Sequence, residues 1–246
     1  MGTVGGRHLV LLAGAMLLAS PEASANSSWT GCYVGAHVGY ARGDADATDS
    51  PFIQGAGAGT GASWNTFGPP YDVIGSSDSS ALGGGEAGCD YQLAAGASAV
   101  VAGIVADIDG LDLSDTGTSG LAADTHASFD VSWIGSVRGR LGWGTPTWLL
   151  YATGGYAFAD IDVRAFDLDA VGVMDVSGGG TESGWVLGGG VEHKLGANWS
   201  LSLDYLHYEF DGVTATGEAS DPAGTFPRFE TDLEVDVVRA GFKWRP

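Results

Sequence analysis

The stretch FDVSWIGSVRGRLGWGTPTWLLYATGGYAF, residues 129–158, holds two strands and the turn between them. From Phe129 the apolar side chains fall on alternate positions: Phe129, Val131, Trp133, Val137, Leu141 and Trp143. Asp130, Ser132, Ser136, Arg138 and Arg140 occupy the places between. A repeat of two sends successive side chains to opposite faces of an extended chain, which marks a strand. Gly144-Thr145-Pro146-Thr147 reverses direction, because proline lacks the amide that a ladder needs and glycine accepts turn dihedrals. Trp148, Leu150, Ala152, Tyr156 and Phe158 then resume a face of apolar groups, so the segment reads as a β-hairpin. In a water-soluble barrel that face would line the interior; in a membrane barrel it meets lipid. Trp143 and Trp148 flank the short turn on the apolar face, where amphipathic rings sit at a bilayer interface.

A chain of 246 residues suits one all-β domain, and 42 glycines with few helix formers disfavour a bundle. Residues 1–25 read as a cleaved secretory signal: Arg7 and His8, an apolar run from Leu9 to Ala19, then Ala23-Ser24-Ala25. Residues 26–246 are then the barrel domain. The apolar run is shorter than the roughly 20 residues of a spanning helix, so any membrane crossing is made by strands. The formal net charge of −20 excludes nucleic-acid binding, which rests on Lys and Arg. Two cysteines in an exported chain permit one disulfide.

In chain order, the first strand covers Ser28–Arg42, with Cys32, Val34, Ala36, Val38 and Tyr40 opposite Gly31, Tyr33, Gly35, His37 and Gly39. Residues 41–81 read as the longest loop. Its Gly55–Ala62 run imitates a phosphate-binding glycine loop but lacks the preceding strand and following helix. Leu82–Gln92 and Ser98 to about Leu111 are strands two and three, and the hairpin supplies four and five. Strand six carries Trp185, Leu187, Val191 and Leu195; strand seven carries Trp199, Leu201, Leu203 and Tyr205. Strand eight carries Val238, Ala240, Phe242 and Trp244 against Arg239, Gly241 and Lys243. Its earlier half, Asp232 to Val237, has the opposite phase, which predicts a bulge or strand boundary near Val237.

Connections alternate between long (41–81, 112–127, 164–183, 211–230) and short (93–97, 144–147, 196–198). Tyr91, Trp143, Trp148, Trp199 and Trp244 lie beside the short-turn rim; Tyr40, Phe129, Phe158 and Tyr205 would form the opposite girdle. The pattern predicts an eight-stranded antiparallel transmembrane β-barrel with short periplasmic turns and long extracellular loops, located in the outer membrane.

With apolar faces toward lipid, Glu86, Asp90, Asp107, Asp109, Asp130, Glu192 and Asp204 face the lumen with Arg138, Arg140, Lys194, Arg239 and Lys243. Eight strands leave an interior just wide enough for side chains to fill. A paired ion network serving as the core is therefore expected, with Asp90, Arg138, Arg140, Glu192 and Asp204 in one cluster. Asp44-Ala45-Asp46 with Asp49, and Asp107-Ile108-Asp109 with Asp112 and Asp115, have alternate carboxylates but no closing Glu, so no metal site is assigned. His37, His126, His193 and His207 sit on four segments without Ser-His-acid spacing, and no catalytic residue or cofactor site is expected. Cys32 and Cys89 lie on one face, each three residues from a short-turn end of neighbouring strands. They form a candidate disulfide, provided that barrel stagger leaves their Cα atoms within about 7 Å.

The chain resembles the small eight-stranded outer-membrane β-barrel family of Gram-negative bacteria, often called porin-family, opacity-type or outer-membrane immunogenic proteins. The resemblance rests on Trp29–Tyr40, Gly83–Gln92, Val101–Asp109, Trp133–Trp143, Leu149–Phe158, Gly184–Tyr208 and Val238–Trp244, taken in order. It implies surface exposure, antigenicity and roles in envelope integrity or host contact, and it carries no catalytic residues. Two departures stand out: Val105 where the family tends to have an acid, and a Trp244-Arg245-Pro246 end where the family closes on an aromatic residue that helps assembly. The expected function is a non-enzymatic barrel that supports the envelope and presents acidic loops. The alternatives are a small passive channel and a lipid-modifying enzyme. Expected partners are outer-membrane lipid and lipopolysaccharide, the assembly machinery and an unidentified host or surface ligand.

Overall fold

Eight strands are strung along the chain: β1 Gly31–Ser50, β2 Val73–Gln92, β3 Ala99–Thr118, β4 Thr125–Gly144, β5 Trp148–Asp167, β6 Asp175–Lys194, β7 Trp199–Thr216 and β8 Arg228–Trp244. Each pairs antiparallel with its neighbour in sequence, and β8 pairs back onto β1, so the sheet closes into a barrel without a free edge. The computed structural model describes residues 28–50, 72–93, 98–121, 123–168, 175–216 and 228–246. The expected leader, 1–25, and the Gly55–Ala62 run lie outside the described residues.

The strands are far longer than the apolar alternation predicts. Six of them run 20 residues, whereas a tilted strand crosses a membrane in about 9–11. At roughly 3.3 Å per residue and a tilt near 40°, such a strand climbs about 50 Å, twice the height of a lipid-facing band. Of the expected long loops, residues 41–50, 73–81, 112–118, 125–127, 164–167, 175–183, 211–216 and 228–230 are strand. Their Ser-, Asp- and Gly-rich flanks read as loop by composition, yet they build a wall that meets water outside and itself inside.

That wall explains the phase change in β8. Alternation is unbroken from Phe229 to Arg245, with odd positions buried throughout, so the predicted bulge near Val237 is absent. What inverts is the polarity of the two faces. Below Val237 the outer side chains are Val238, Phe242 and Trp244, exposed toward lipid, and the inner ones are Arg239 and Lys243. Above it the inner side chains are Phe229, Leu233, Val235 and Val237, while Asp232 and Glu234 face outward. The barrel is thus polar-cored within the membrane and apolar-cored beyond it. The upper core gathers Phe129, Val131, Ile161, Leu206 and Phe210 with the β8 residues.

Bulges lie elsewhere: β3 shifts register between Gly110 and Leu113, β4 between Val131 and Trp133, and β7 between Phe210 and Val213. The extra residue in β7 is accommodated near Gly212, whose φ of +70° suits glycine. The β4 bulge flips the side chains before it. Phe129 therefore points into the upper core and belongs to no aromatic girdle, and Asp130 is exposed on the outer wall, outside the lumen. Lys194 also leaves the expected lumenal set, because it ends β6 at the rim, where its Nζ donates to Ser28 O at 2.7 Å.

The β2–β3 ladder stops at Gly83 and Gly110, although both strands continue above it. There Ser114 N donates to Asp78 Oδ2 at 3.0 Å, Ser77 N to Asp115 Oδ2 at 2.9 Å, and Asp112 N to Ser80 Oγ at 3.3 Å. At the opposite end, Cys32 and Cys89 are cross-strand partners with Cα atoms 3.9 Å apart, and they are joined by a disulfide.

Candidate functional site

The inward positions of the membrane-spanning half are where the chain collects its buried charge. Alternation turns Glu86 and Asp90 of β2, Asp107 and Asp109 of β3, Arg138 and Arg140 of β4, Glu192 of β6, Asp204 of β7, and Arg239 and Lys243 of β8 inward, all of them buried. Glycines on these strands leave them room. A Cβ added to Gly84 would collide with Ile108 O and the Asp109–His37 pair, and one at Gly103 would collide with Asp90. Small residues here are therefore the complement of long ionic side chains.

Two clusters form, one above the other. In the upper one Arg239 is the hub: its Nη2 lies 2.5 Å from Asp107 Oδ2, its Nη1 2.9 Å from Asp109 Oδ2, and its Nε 3.7 Å from Asp204 Oδ2. Asp107 also receives Arg138 Nη2 and the Ser136 hydroxyl, and His37 Nε2 lies 2.5 Å from Asp109 Oδ1. In the lower cluster Glu192, fully buried, accepts from Arg140 Nη2 at 2.6 Å and from the Ser200 hydroxyl at 2.7 Å. Lys243 Nζ sits 3.0 Å from Glu86 and 3.6 Å from Glu192, and Arg245 Nη2 donates to Asp90 Oδ2 at 2.8 Å. Tyr151 joins the two levels: its hydroxyl donates to Asp204, and the Arg140 guanidinium lies 3.7 Å from its ring centroid.

Of the residues expected in one cluster, Asp90, Arg140 and Glu192 meet in the lower level. Arg138 turns instead to Asp107 above, and Asp204 sits between the levels. Tyr33, Tyr151, Ser136, Ser200 and Arg245 complete the network without having been assigned to it from the sequence. Arg245 was legible in principle, since 239, 243 and 245 share one parity on β8 and just beyond. Val105, the departure from the family's acid, is buried at 4 % exposure and lines the same interior.

The lower mouth is closed by Trp29, 1 % exposed. Its indole donates to Thr145 O at 2.8 Å, its amide to Gln92 Oε1 at 2.9 Å, and Lys194 Nζ stands 4.3 Å from its ring centroid. Between Tyr33, Glu86, Arg138, Arg140, Tyr151 and Lys243 a cavity of only about 10 Å³ remains, room for one water at most. The arrangement can pair charge, resist permeation and stiffen the barrel.

A closed ring of eight strands with an exposed belt of Val38, Ile104, Leu141, Leu187, Leu203 and Phe242, bordered by Trp143, Trp148, Trp199 and Trp244, has the make-up of an outer-membrane barrel. The family described as "Outer membrane protein beta-barrel domain" matches residues 10–245. The chain belongs to this family. It is 32 % identical over 226 residues to the 31 kDa outer-membrane immunogenic proteins of Brucella melitensis biotype 1 and Brucella suis biovar 1, covering 89 % of this chain and 84 % of each relative. Among solved structures, the outer membrane protease OmpT from Escherichia coli shares the barrel architecture. The TM-score is 0.52 at 6 % identity, covering 88 % of this chain and 97 % of that one, a likeness of fold alone. This family member is thus an outer-membrane β-barrel of the immunogenic-protein type.

Proposed function

We propose that this family member is a non-enzymatic outer-membrane barrel that supports the envelope and holds an acidic stalk above the lipid, where it serves as a surface antigen or adhesion surface. The observation that carries this reading is the doubly filled interior, ionic within the membrane and apolar beyond it, which leaves the chain's outer faces to meet other molecules. Asp44, Asp46, Asp130, Asp162, Asp232 and Glu234 stand exposed on the upper wall. Such a wall repels anions and gathers cations around it. The lipid belt fits outer-membrane lipid and lipopolysaccharide as surroundings and the assembly machinery as the inserting agent, and residues 1–25 are assigned as the export leader.

Planar-bilayer recording of refolded protein tests the reading. The expected result is a silent membrane; stable, large single-channel steps would favour a passive channel instead. Antibody raised against the upper wall should label intact cells, and labelling only after lysis would remove the surface role.

A further inference from the structure

The lumenal charges are unevenly distributed along the chain. Six carboxylates of the membrane half come from β2, β3, β6 and β7: Glu86, Asp90, Asp107, Asp109, Glu192 and Asp204. Among the described residues, the buried lysines and arginines there are five. Arg138 and Arg140 stand on β4, and Arg239, Lys243 and Arg245 on β8 and the residue position just past its end.

Every one of the six carboxylates touches a cation of that last segment. Arg239 reaches Asp107, Asp109 and Asp204; Lys243 reaches Glu86 and Glu192; Arg245 reaches Asp90 and Glu192. The β4 arginines reach only Asp107, Asp90 and Glu192. With β8 absent, Glu86, Asp109 and Asp204 would face the interior without a lysine or arginine among the described residues. β8 is also the strand that closes the ring, pairing with β7 along one side and with β1 along the other. Its inner face is divided as the barrel is, with Phe229, Leu233, Val235 and Val237 for the apolar core and Arg239 and Lys243, continued by Arg245 just past its end, for the carboxylates.

We infer that the open β1–β7 sheet presents a carboxylate-lined surface that fits one partner, a strand basic in its lower half and apolar in its upper half, and that β8 closes the barrel by neutralising this surface. Closure and charge compensation are then one event. A barrel lacking β8 holds unpaired carboxylates that keep water in the lumen, because an uncompensated charge resists transfer to a dry interior. The cations of β8 and Arg245 just past it therefore act on the rate of closure, whereas Arg138 is already paired to Asp107 within the open sheet.

The test is refolding and unfolding kinetics of the full chain in lipid vesicles, with closure read from the gel shift between unheated and boiled samples. Lys243→Met and Arg245→Gln should lower the folding rate constant about tenfold with little change in unfolding. Both substitutions leave Glu192 paired to Arg140, so they report even if Arg239→Met never folds. In a second arm, excess synthetic peptide of residues 228–246 is present while the wild-type chain refolds. The native peptide should slow closure severalfold, and the same peptide with methionine at the three cationic positions should not. Either of two results overturns the inference: a Lys243→Met loss confined to the unfolding rate, or equal competition by the two peptides.

Discussion

Replacing Glu192 by glutamine removes one charge while nearly preserving volume, at a position with 0 % exposure. In the native barrel its carboxylate lies 2.6 Å from Arg140, 3.6 Å from Lys243 and 3.7 Å from Arg245, and it accepts from Ser200 at 2.7 Å. The amide can turn its oxygen to Arg140 and its N–H to the Ser200 hydroxyl, which then accepts, so what the three cations lose is the counter-charge. Asp90 and Glu86 remain to hold the three cations, which spares part of the loss. Breaking a buried pair from one side costs about 3–5 kcal/mol. With neighbouring acids still present, a loss of about 3 kcal/mol is expected at the low end of that range. The assay is urea unfolding in detergent micelles, followed by the change in gel mobility and fitted for stability. Adding Lys243→Met to Glu192→Gln should cost less than the sum of the singles, with a coupling of about 1 kcal/mol or more for contacting residues. A loss for Glu192→Gln below about 1 kcal/mol, the size typical of solvent-screened pairs, would refute a dry, paired lumen.

Three further outcomes follow from the upper barrel. Leu233→Ala should cost about 2–5 kcal/mol in thermal or urea unfolding, because Leu233 is fully buried in the apolar core; a negligible cost would mean that this half is not packed. Asp130→Asn should stabilise slightly at neutral pH, measured as a raised urea midpoint. Partial desolvation, then the like charges of Asp112, Asp162 and Asp160, raise its carboxyl above the ordinary value, so its ionisation opposes the fold. Asp78 behaves oppositely: hydrogen bonds from the amides of Ser114 and Ser79 hold it below the usual carboxylate range. Its contribution is thus present above the unfolded pKa and is lost as pH falls through the folded one. Amide exchange at Ser114 should lose protection on acidification below the normal aspartate range, and unchanged protection would contradict the latch between β2 and β3.

The alternation from Phe129 to Phe158 was enough to establish strands, and its recurrence with tryptophans at one rim established a membrane barrel with eight of them. The identity of most lumenal residues was equally legible, since side-chain parity is fixed once the lipid face is known. Composition misled where the environment changed. Residues 41–50, 73–81 and 175–183 carry serine, glycine and aspartate, which a local reading assigns to loops, yet they are strand in an extramembrane wall. The change of phase in β8 was visible, but a sequence offers two explanations for it, a slip of the backbone or an exchange of the surroundings. Only the closed barrel, which places Val237 inside and Val238 outside at the level where lipid ends, decides for the second. The reverse holds for Asp130 and Phe129, which follow the expected alternation until the bulge near Ser132 exchanges their faces. Which acid meets which base was likewise beyond the sequence. Parity selects a face, whereas pairing across the lumen depends on stagger, and stagger is set when β8 closes onto β1.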